Sequence, residues 1–362
     1  MMMKRELQKL LVLLTSMVMV CQTGKCQTKS SPMTDSSNAG QPMTLTITQL
    51  GLGDLDRPLF DNVGNLVGHY EPTAEPYRSV ESYRGNVTVN GSSFQVTSLY
   101  KAEIAKDNNH IILTGDLPAN HRGGSVYMEV FSTSGEKVSD LNRICVANYS
   151  RLITTIDGDV IFFGHRDFGD NPPTLVKMSM LGEVKWEISH PNIVMAGFQQ
   201  SPSGNLILLR GMSADLREVV QLIINAATGE IVDSIPYQGL SNVFIDDSRL
   251  FMYSAWKWKV VDWKNGLKEL NQGVFERRTT GSEFIEQYLP SMNRVVLVSI
   301  SELDEGIIDV LTVNPVEGIV ESGKFQNTAF SESGSIPVVI ATGNQVKLLF
   351  RKSIASIQFT DE

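Results

Sequence analysis

The sequence predicts an all-β protein, a β-propeller of six four-stranded blades, with seven blades as the alternative count. A Gly-Glu pair recurs at Gly135, Gly182 and Gly229, separated by two intervals of 47 residues. One apolar strand lies just before each pair, another lies further upstream, and helical periodicity is nearly absent along the chain. Short strands that repeat at about this interval are typical of propeller blades, whereas two stacked sheets would not require so constant a spacing.

The elements follow one another as strand–turn–strand units. Glycine suits the positive-φ position of a tight hairpin, so each Gly-Glu pair predicts a turn between two strands. Weaker copies of this marker follow at Gly266 and Gly318, and a further apolar strand occupies residues 345–350. Residues 51–100 are the least regular part of the repeat region and show one possible hairpin, at residues 63–65.

The two ends of the repeat region predict how the ring closes. The strand Ser353–Phe359 has no following strand to complete its blade, and the alternating strand Met43–Gln49 has no blade of its own. Pairing these two strands would close the propeller and remove two exposed sheet edges. The sequence therefore predicts a propeller over residues 43–362 that its first and last strands join.

The composition is that of an acidic globular protein. The 362 residues include 31 Lys+Arg and 40 Asp+Glu, a formal charge of −9, with 42% apolar and 20% charged residues. These values exclude a largely disordered chain, a collagen-like chain and a disulfide-dense miniprotein. An acidic chain repels phosphate backbones, so nucleic acid is not an expected partner. We expect a monomer.

The N-terminus has the proportions of a secretory signal peptide. Lys4, Arg5 and Lys9 precede the mostly apolar residues 10–20, a run too short to span a bilayer. We therefore predict a signal peptide over residues 1–21 and an exported protein; a buried N-terminal helix is the alternative. Residues 22–42 are polar, lack hydrophobic periodicity and predict a flexible tether.

The cysteines bear on how the exported protein is held. Residues 18–21, Val-Met-Val-Cys, resemble a bacterial lipobox, in which lipid is attached to the cysteine, here Cys21. Val20 departs from that pattern, which has Gly, Ala or Ser before the cysteine, so free secretion stays open beside a lipid anchor in the cell envelope. A membrane is expected as a partner only through this anchor. Cys26 and Cys145 could form a disulfide in an oxidising compartment. We favour the alternative, in which Cys145 is a small buried residue.

One turn resembles a known repeat family. Gly182, followed four residues later by Trp186, resembles the outer-strand motif of quinoprotein-like (PQQ-like) propeller repeats. Residues 225–230 resemble the same turn, although Asp233 stands where that family has Trp. The plan of export signal, tether and propeller is similar to that of exported six-bladed propeller proteins, many of them bacterial lipoproteins. The resemblance implies the fold and a binding or assembly role, with some enzymes among its members.

Candidate site residues lie in the loops that join the second and third strands of each blade, because these loops share one face of a propeller. Two tryptophans at alternate positions would share one strand face and stack on a sugar or a peptide side chain, or else fill the space between blades. A histidine and two carboxylates within six residues would bind a cation or act as acid and base, or else form a solvated loop tip. The candidates are His121, Arg122, His165, Arg166, Asp167, Asp170, Trp256 and Trp258.

The sequence favours a binding protein over an enzyme. It contains no Gly-x-Ser-x-Gly elbow, no His-Glu-x-x-His motif, no phosphate loop and no dinucleotide fingerprint, and no cofactor is predicted. We predict an exported, non-enzymatic propeller that binds a protein or glycan partner through its inter-strand loop face. The alternative is a hydrolase or lyase that uses carboxylates and His165 at the mouth of the central channel.

Overall fold

Apolar strands and glycine turns fold the chain into seven four-stranded antiparallel blades. The structure, a computed structural model, describes residues 43–51, 57–72, 85–96, 101–116, 125–165, 172–189, 193, 195–213, 218–275, 284–300, 306–326, 338–350 and 352–359. The predicted signal peptide (1–21) and tether (22–42), with Cys21 and Cys26, lie outside these residues. No helix in the described part of the chain is long and apolar enough to cross a membrane.

The first strand, β1 (Met43–Gln49), belongs to the last blade, and blades 1 to 3 follow it. Blade 1 contains β2 (Arg57–Phe60), β3 (Leu66–Pro72), β4 (Gly85–Val89) and β5 (Ser92–Val96). Blade 2 contains β6 (Lys101–Ile104), β7 (His110–Asp116), β8 (Ser125–Ser132) and the first part of β9 (Lys137–Thr154). The rest of β9 is the inner strand of blade 3, beside β10 (Val160–His165), β11 (Thr174–Met178) and β12 (Val184–Ser189).

The remaining four blades repeat the same order from the inner strand to the outer one. Blade 4 contains β13 (Met195–Gln200), β14 (Leu206–Met212), β15 (Val219–Asn225) and β16 (Ile231–Ser234). Blade 5 contains β17 (Ser241–Phe244), β18 (Arg249–Tyr253), β19 (Lys257–Asp262) and β20 (Lys268–Val274). Blade 6 contains β21 (Phe284–Leu289), a 3₁₀ turn (Pro290–Met292), β22 (Arg294–Ile300), β23 (Ile307–Val313) and β24 (Val320–Gln326). Blade 7 contains β25 (Val338–Thr342), β26 (Gln345–Leu349), β27 (Ser353–Phe359) and β1.

The preferred count of six blades is wrong, and the alternative of seven is right. The missed blade is blade 1, in the stretch that reads as least regular. Its strand β3, Leu-Val-Gly-His-Tyr-Glu-Pro, lacks the apolar run of the other second strands, and its last hairpin turns at Asn90-Gly91 without the Gly-Glu marker. The predicted closure is confirmed, because β1 pairs antiparallel with β27 from Met43 opposite Phe359 to Gln49 opposite Ser353.

The marker glycines join the third and fourth strands, and some of them also pack against the preceding blade. Gly229 has a φ of +77°, and a Cβ there would lie 2.9 Å from the ring of Trp186 on the outer strand of blade 3. The Trp186 Nε1 donates a hydrogen bond of 3.1 Å to the carbonyl of Ala226 in the same turn. Gly135 repeats the arrangement against Phe94, at 2.8 Å. The marker therefore reflects close packing between blades as well as a turn.

A buried ion network also joins blades 3 and 4. The Lys177 side chain is 3% exposed, and its Nζ lies 2.6 Å from Asp157 Oδ2 and 3.1 Å from Asp159 Oδ2. The same Nζ donates a hydrogen bond of 3.1 Å to the carbonyl of Ala226 in the next blade. Lys185, which is half exposed, lies 2.6 Å from Asp159. Lys177 thus neutralises a buried carboxylate and ties two blades together.

Candidate functional site

The strand order gives the propeller two unlike faces. The turns between first and second strands and the hairpins between third and fourth strands share one face, which we call the hairpin face. The loops between second and third strands and the links from blade to blade share the opposite face, which we call the loop face. The candidate residues from the sequence belong to the loop face.

The hairpin face uses its polar side chains to hold neighbouring blades together. Hydrogen bonds from the turns and from adjoining strand residues join adjacent blades there. These bonds link Asn108 Nδ2 to Asn62 Oδ1 (2.8 Å), Lys106 N to Thr154 Oγ1 (3.1 Å), Ser203 Oγ to Asp247 Oδ1 (2.6 Å), Ser291 Oγ to the Gly343 carbonyl, and Lys347 Nζ to Asn65 Oδ1 (2.9 Å). These polar groups therefore hold adjacent blades together.

The side chains that line a small open cavity on the hairpin face also form hydrogen bonds within the protein. It has a volume of about 340 Å³ and is lined by Pro202, Ser203, Asp246, Asp247, Ser248 and Lys264. Burial raises the pKa of Asp247, but hydrogen bonds from Ser203 and Asn205 outweigh burial and hold that pKa below its ordinary value. Asp246 accepts hydrogen bonds from the backbone of Ser248 and from Arg249. Both carboxylates are therefore committed to the turns that carry them.

The structure places only some of the sequence candidates. His121, Arg122, Arg166, Asp167 and Asp170 lie outside the described residues. His165 is the half-buried last residue of β10 and lies opposite Val146. Among the residues that the structure describes, no group of three or more His, Cys, Asp or Glu is placed to hold a metal ion.

The two tryptophans do not share one strand face, so that prediction is wrong. Trp256 is 56% exposed, whereas Trp258 is 2% exposed and stacks on Phe251 with 5.7 Å between ring centroids. The alternation fails because β19 begins at Lys257, after Trp256. Trp258 packs in the core between blades 5 and 6, as the alternative interpretation had it, and Trp256 remains on the loop face.

The seam between blades 4 and 5 changes character from one face to the other. Toward the hairpin face it is an apolar core that includes Leu208, Ile223 and Met252. Alternation along the same strand faces then places polar residues toward the loop face: Arg210 two residues after Leu208, Gln221 two before Ile223, and Asn242 and Lys259 on blade 5. The seam between blades 3 and 4, by contrast, is lined by an apolar cluster that runs from Ile161 to Ala226.

Arg210 and Tyr237 stand at the loop-face end of this seam. The guanidinium of Arg210 lies 5.6 Å from the centroid of the Tyr237 ring, and Tyr237 is 43% exposed. The Nη1 of Arg210 donates a hydrogen bond of 3.0 Å to Ser241 Oγ. On the other side of blade 5, the hydroxyl of Tyr253 donates to Glu286 Oε2 at 3.1 Å. Burial, and then the charge of Glu286, raises the pKa of Tyr253, which therefore stays protonated as a donor.

Amide groups lie next to Arg210 in the seam, and Gln221 is its antiparallel partner on the neighbouring strand. Asn242 Nδ2 donates to Gln221 Oε1 at 2.6 Å, and Gln199 Nε2 donates to the Asn242 carbonyl at 2.7 Å. Gln221 Nε2 and Asn242 Oδ1 are buried and have no hydrogen-bond partner in the structure as described. Nearer the surface, Lys259 Nζ donates to Gln238 Oε1 at 2.6 Å. A seam of this composition is suited to hold polar groups rather than only to pack blades.

Comparison with known proteins supports the fold. No family model and no curated protein matches the sequence. Prolyl oligopeptidase B from Galerina marginata is similar over 91% of this chain and 48% of its own, with a TM-score of 0.53 at 10% identity. Sqt1 from Saccharomyces cerevisiae is similar over 95% of this chain and all of its own (TM-score 0.49, 12% identity), and the WD40 domain of Toxoplasma gondii coronin over 93% and 85% (TM-score 0.46, 8% identity).

The similarity to prolyl oligopeptidase B concerns the fold alone, because the sequence identity is only 10%. The other two similarities support no further conclusion. This chain spans about half the length of prolyl oligopeptidase B. The fold defines the class of the protein: it is a seven-bladed β-propeller protein closed by its first and last strands.

Proposed function

We propose that this chain is an exported β-propeller that binds a partner through its loop face without catalysing a reaction. The observation that carries the proposal is that two aromatic side chains are exposed on this face, Trp256 and Tyr237, and that Tyr237 lies against Arg210 at the polar seam of blades 4 and 5. Exposed aromatic residues clustered with an arginine are typical of binding surfaces, where such residues contribute most of the affinity. The hairpin face is not the proposed binding surface, because the polar groups named there form hydrogen bonds with one another.

The proposal includes a lipid anchor or free secretion, and the start of β1 bears on the anchored form. Met43 lies opposite Phe359, whose N–H donates to the carbonyl of Asn344 in the first turn of blade 7, on the hairpin face. The chain therefore enters the propeller from the face opposite the binding surface. A tether of residues 22–42 spans at most about 70 Å when fully extended. Anchored through Cys21, the protein would be attached at its hairpin face, which leaves the loop face free to bind a partner.

A kinship with quinoprotein-like repeats belongs to the same proposal. Its support is the docking of Trp186 on the glycine turn of the next blade, where the indole N–H donates to Ala226. We propose kinship of the repeat only, without the quinone chemistry.

Capture from the native source tests the binding proposal. Immobilised wild-type protein, Trp256→Ala and Leu181→Ala are exposed to an envelope and culture-medium extract, and bound protein and bound sugar are both quantified. Leu181 is the matched control because it is 57% exposed, as Trp256 is at 56%, but lies on the hairpin face. We expect Trp256→Ala to lose at least about tenfold of the specific capture, the size of a hot-spot residue, while Leu181→Ala retains it. Equal capture by all three proteins would contradict the proposal.

A further inference from the structure

Arg210 differs from the other half-buried arginines whose side chains the structure describes. Arg249 lies 2.7 Å from Asp246 Oδ2, and Arg294 forms an ion pair with Glu321. Arg210 has no carboxylate partner among the described residues; its contacts are the Ser241 hydroxyl and the ring of Tyr237. A guanidinium carries five N–H donors in a planar fork that matches a carboxylate. A half-buried guanidinium that has no carboxylate partner among the described residues is suited to bind an anion from outside.

Two lysines and a tryptophan of blade 5 lie on the same face of the propeller as Arg210. Lys259 donates a hydrogen bond to Gln238, the residue after Tyr237. The link from blade 4 to blade 5 contains both of these residues, so it contacts both Lys259 and Arg210. Trp256 lies in the loop that precedes β19, three residues before Lys259, on the loop face. Lys257 between them is exposed. This concentration of positive charge on a chain of net charge −9 favours an anionic ligand.

The construction of the seam favours a saccharide over a peptide strand. All four strands of blade 4 and all four strands of blade 5 pair within their own sheets, so the seam between them is lined by side chains. A peptide could not add to this seam as a further strand, because the seam offers side chains rather than a strand edge. Flat aromatic faces, amides and a guanidinium instead suit pyranose rings, hydroxyl groups and a carboxylate.

We propose, resting on the proposed function above, that the loop-face end of the seam between blades 4 and 5 binds an acidic oligosaccharide. Arg210 pairs with a uronate carboxylate, and Lys259 adds to the positive potential at that carboxylate. Tyr237 and Trp256 pack against the sugar rings. The hydrogen-bonded amides of Gln221 and Asn242 lie next to Arg210 in the wall of the site.

Titration calorimetry on the full mature protein tests the proposal. The probes are tetrasaccharides of galacturonate, of mannuronate and of alternating glucuronate and N-acetylglucosamine, together with the neutral methyl ester of each. We expect the wild-type protein to bind at least one acidic tetrasaccharide with a Kd below ~1 mM and its ester at least about tenfold more weakly. Binding should weaken as ionic strength rises.

The variants assign the binding to Arg210. Arg210→Gln should weaken it roughly 10- to 100-fold, the size of a charge-assisted pair, and Arg210→Lys should restore part of the loss. Arg249→Gln is the matched control, a half-buried arginine on the hairpin face, and should leave the affinity unchanged. If Arg210→Gln does not fold, Tyr237→Ser at an exposed position should still weaken binding about five- to tenfold.

Three outcomes would overturn the inference: no acidic tetrasaccharide binds, Arg210→Gln and Tyr237→Ser both bind like wild type, or the neutral esters bind equally well. Binding of hexaglutamate in place of the saccharides would also overturn it, since the ligand would then be an acidic protein. If these results coincided with loss of capture by Trp256→Ala in the extract experiment, the loop face would still be the binding surface and only the ligand class would be wrong.

Discussion

Lys177 offers the most direct test of what holds the blades together. Lys177→Met replaces a side chain that is 3% exposed with one of similar length and no charge. It leaves Asp159, whose side chain is 5% exposed, with Lys185 as its remaining cation among the described residues, and it removes the hydrogen bond to Ala226 in blade 4. The substitution therefore strands a buried carboxylate and cuts a link between blades.

The expected cost is about 3 kcal/mol. Breaking a buried ion pair by removing one partner costs about 3–5 kcal/mol, and the lower end applies because Lys185 still neutralises part of the charge. An unfolding entropy of about 2.1 cal/mol/K per residue over roughly 320 residues gives about 0.7 kcal/mol/K. A loss of about 3 kcal/mol therefore lowers the Tm by about 4–5 °C.

Differential scanning calorimetry at pH 7 measures the effect. Lys185→Met is the control, because that lysine is half exposed and its loss should cost less than about 1 kcal/mol, or about 1 °C. The double variant Lys177→Met, Asp159→Asn removes the stranded charge and should recover part of the Tm. A Tm for Lys177→Met within 1 °C of the wild type would refute the reasoning.

Three further predictions concern the turns, the acid limit of stability and ring closure. Gly229→Ala should lower the Tm more than Gly158→Ala, by an amount equivalent to about 1–3 kcal/mol, because both glycines have a φ near +80° but only Gly229 faces Trp186; equal losses would mean that the contact is unimportant. Burial would raise the pKa of Asp157, but the hydrogen bond and charge of Lys177 outweigh it and lower that pKa to about 2. A depressed pKa stabilises the fold fully above pH 4 and loses that contribution as the pH falls from about 4 to about 2, so the Tm of wild type should fall more steeply there than that of Asp157→Asn. Removing β1 should leave β27 with an unpaired edge and cause self-association, measured by light scattering after size-exclusion chromatography; a monomer of unchanged Tm would contradict the importance of closure.

The sequence predicts the fold where the local pattern repeats and fails where it does not. The three Gly-Glu pairs and their weaker copies at Gly266 and Gly318 locate five of the outer hairpins, and the alternating strand Met43–Gln49 correctly predicts closure. The sequence does not predict blade 1, because β3 contains Gly68, His69 and Pro72 in place of an apolar run. Its strand signal is therefore weak, although β3 pairs with both neighbouring strands.

The candidate site is less accessible to sequence reasoning, because residues far apart in the chain form it. Trp256 is correctly placed on the loop face, but Trp258 is buried, since the strand begins between them. Arg210 follows the apolar run Leu206–Leu209 within β14, and Tyr237 lies in the exposed Pro-Tyr-Gln-Gly link to the next blade. Each has a local signal, a charge within a buried strand and an aromatic residue in a turn, but their contact depends on how two blades pack.

Site-specific photo-crosslinking in the native source tests the central claim most directly. A benzophenone amino acid replaces Trp256 in one protein and the equally exposed Leu181 on the hairpin face in another, and the irradiated proteins are weighed intact by mass spectrometry. We expect an adduct of defined mass, protein or carbohydrate, from position 256 and none from position 181. An adduct from position 181 alone, or equal adducts from both faces, would contradict the claim that the loop face is the binding surface.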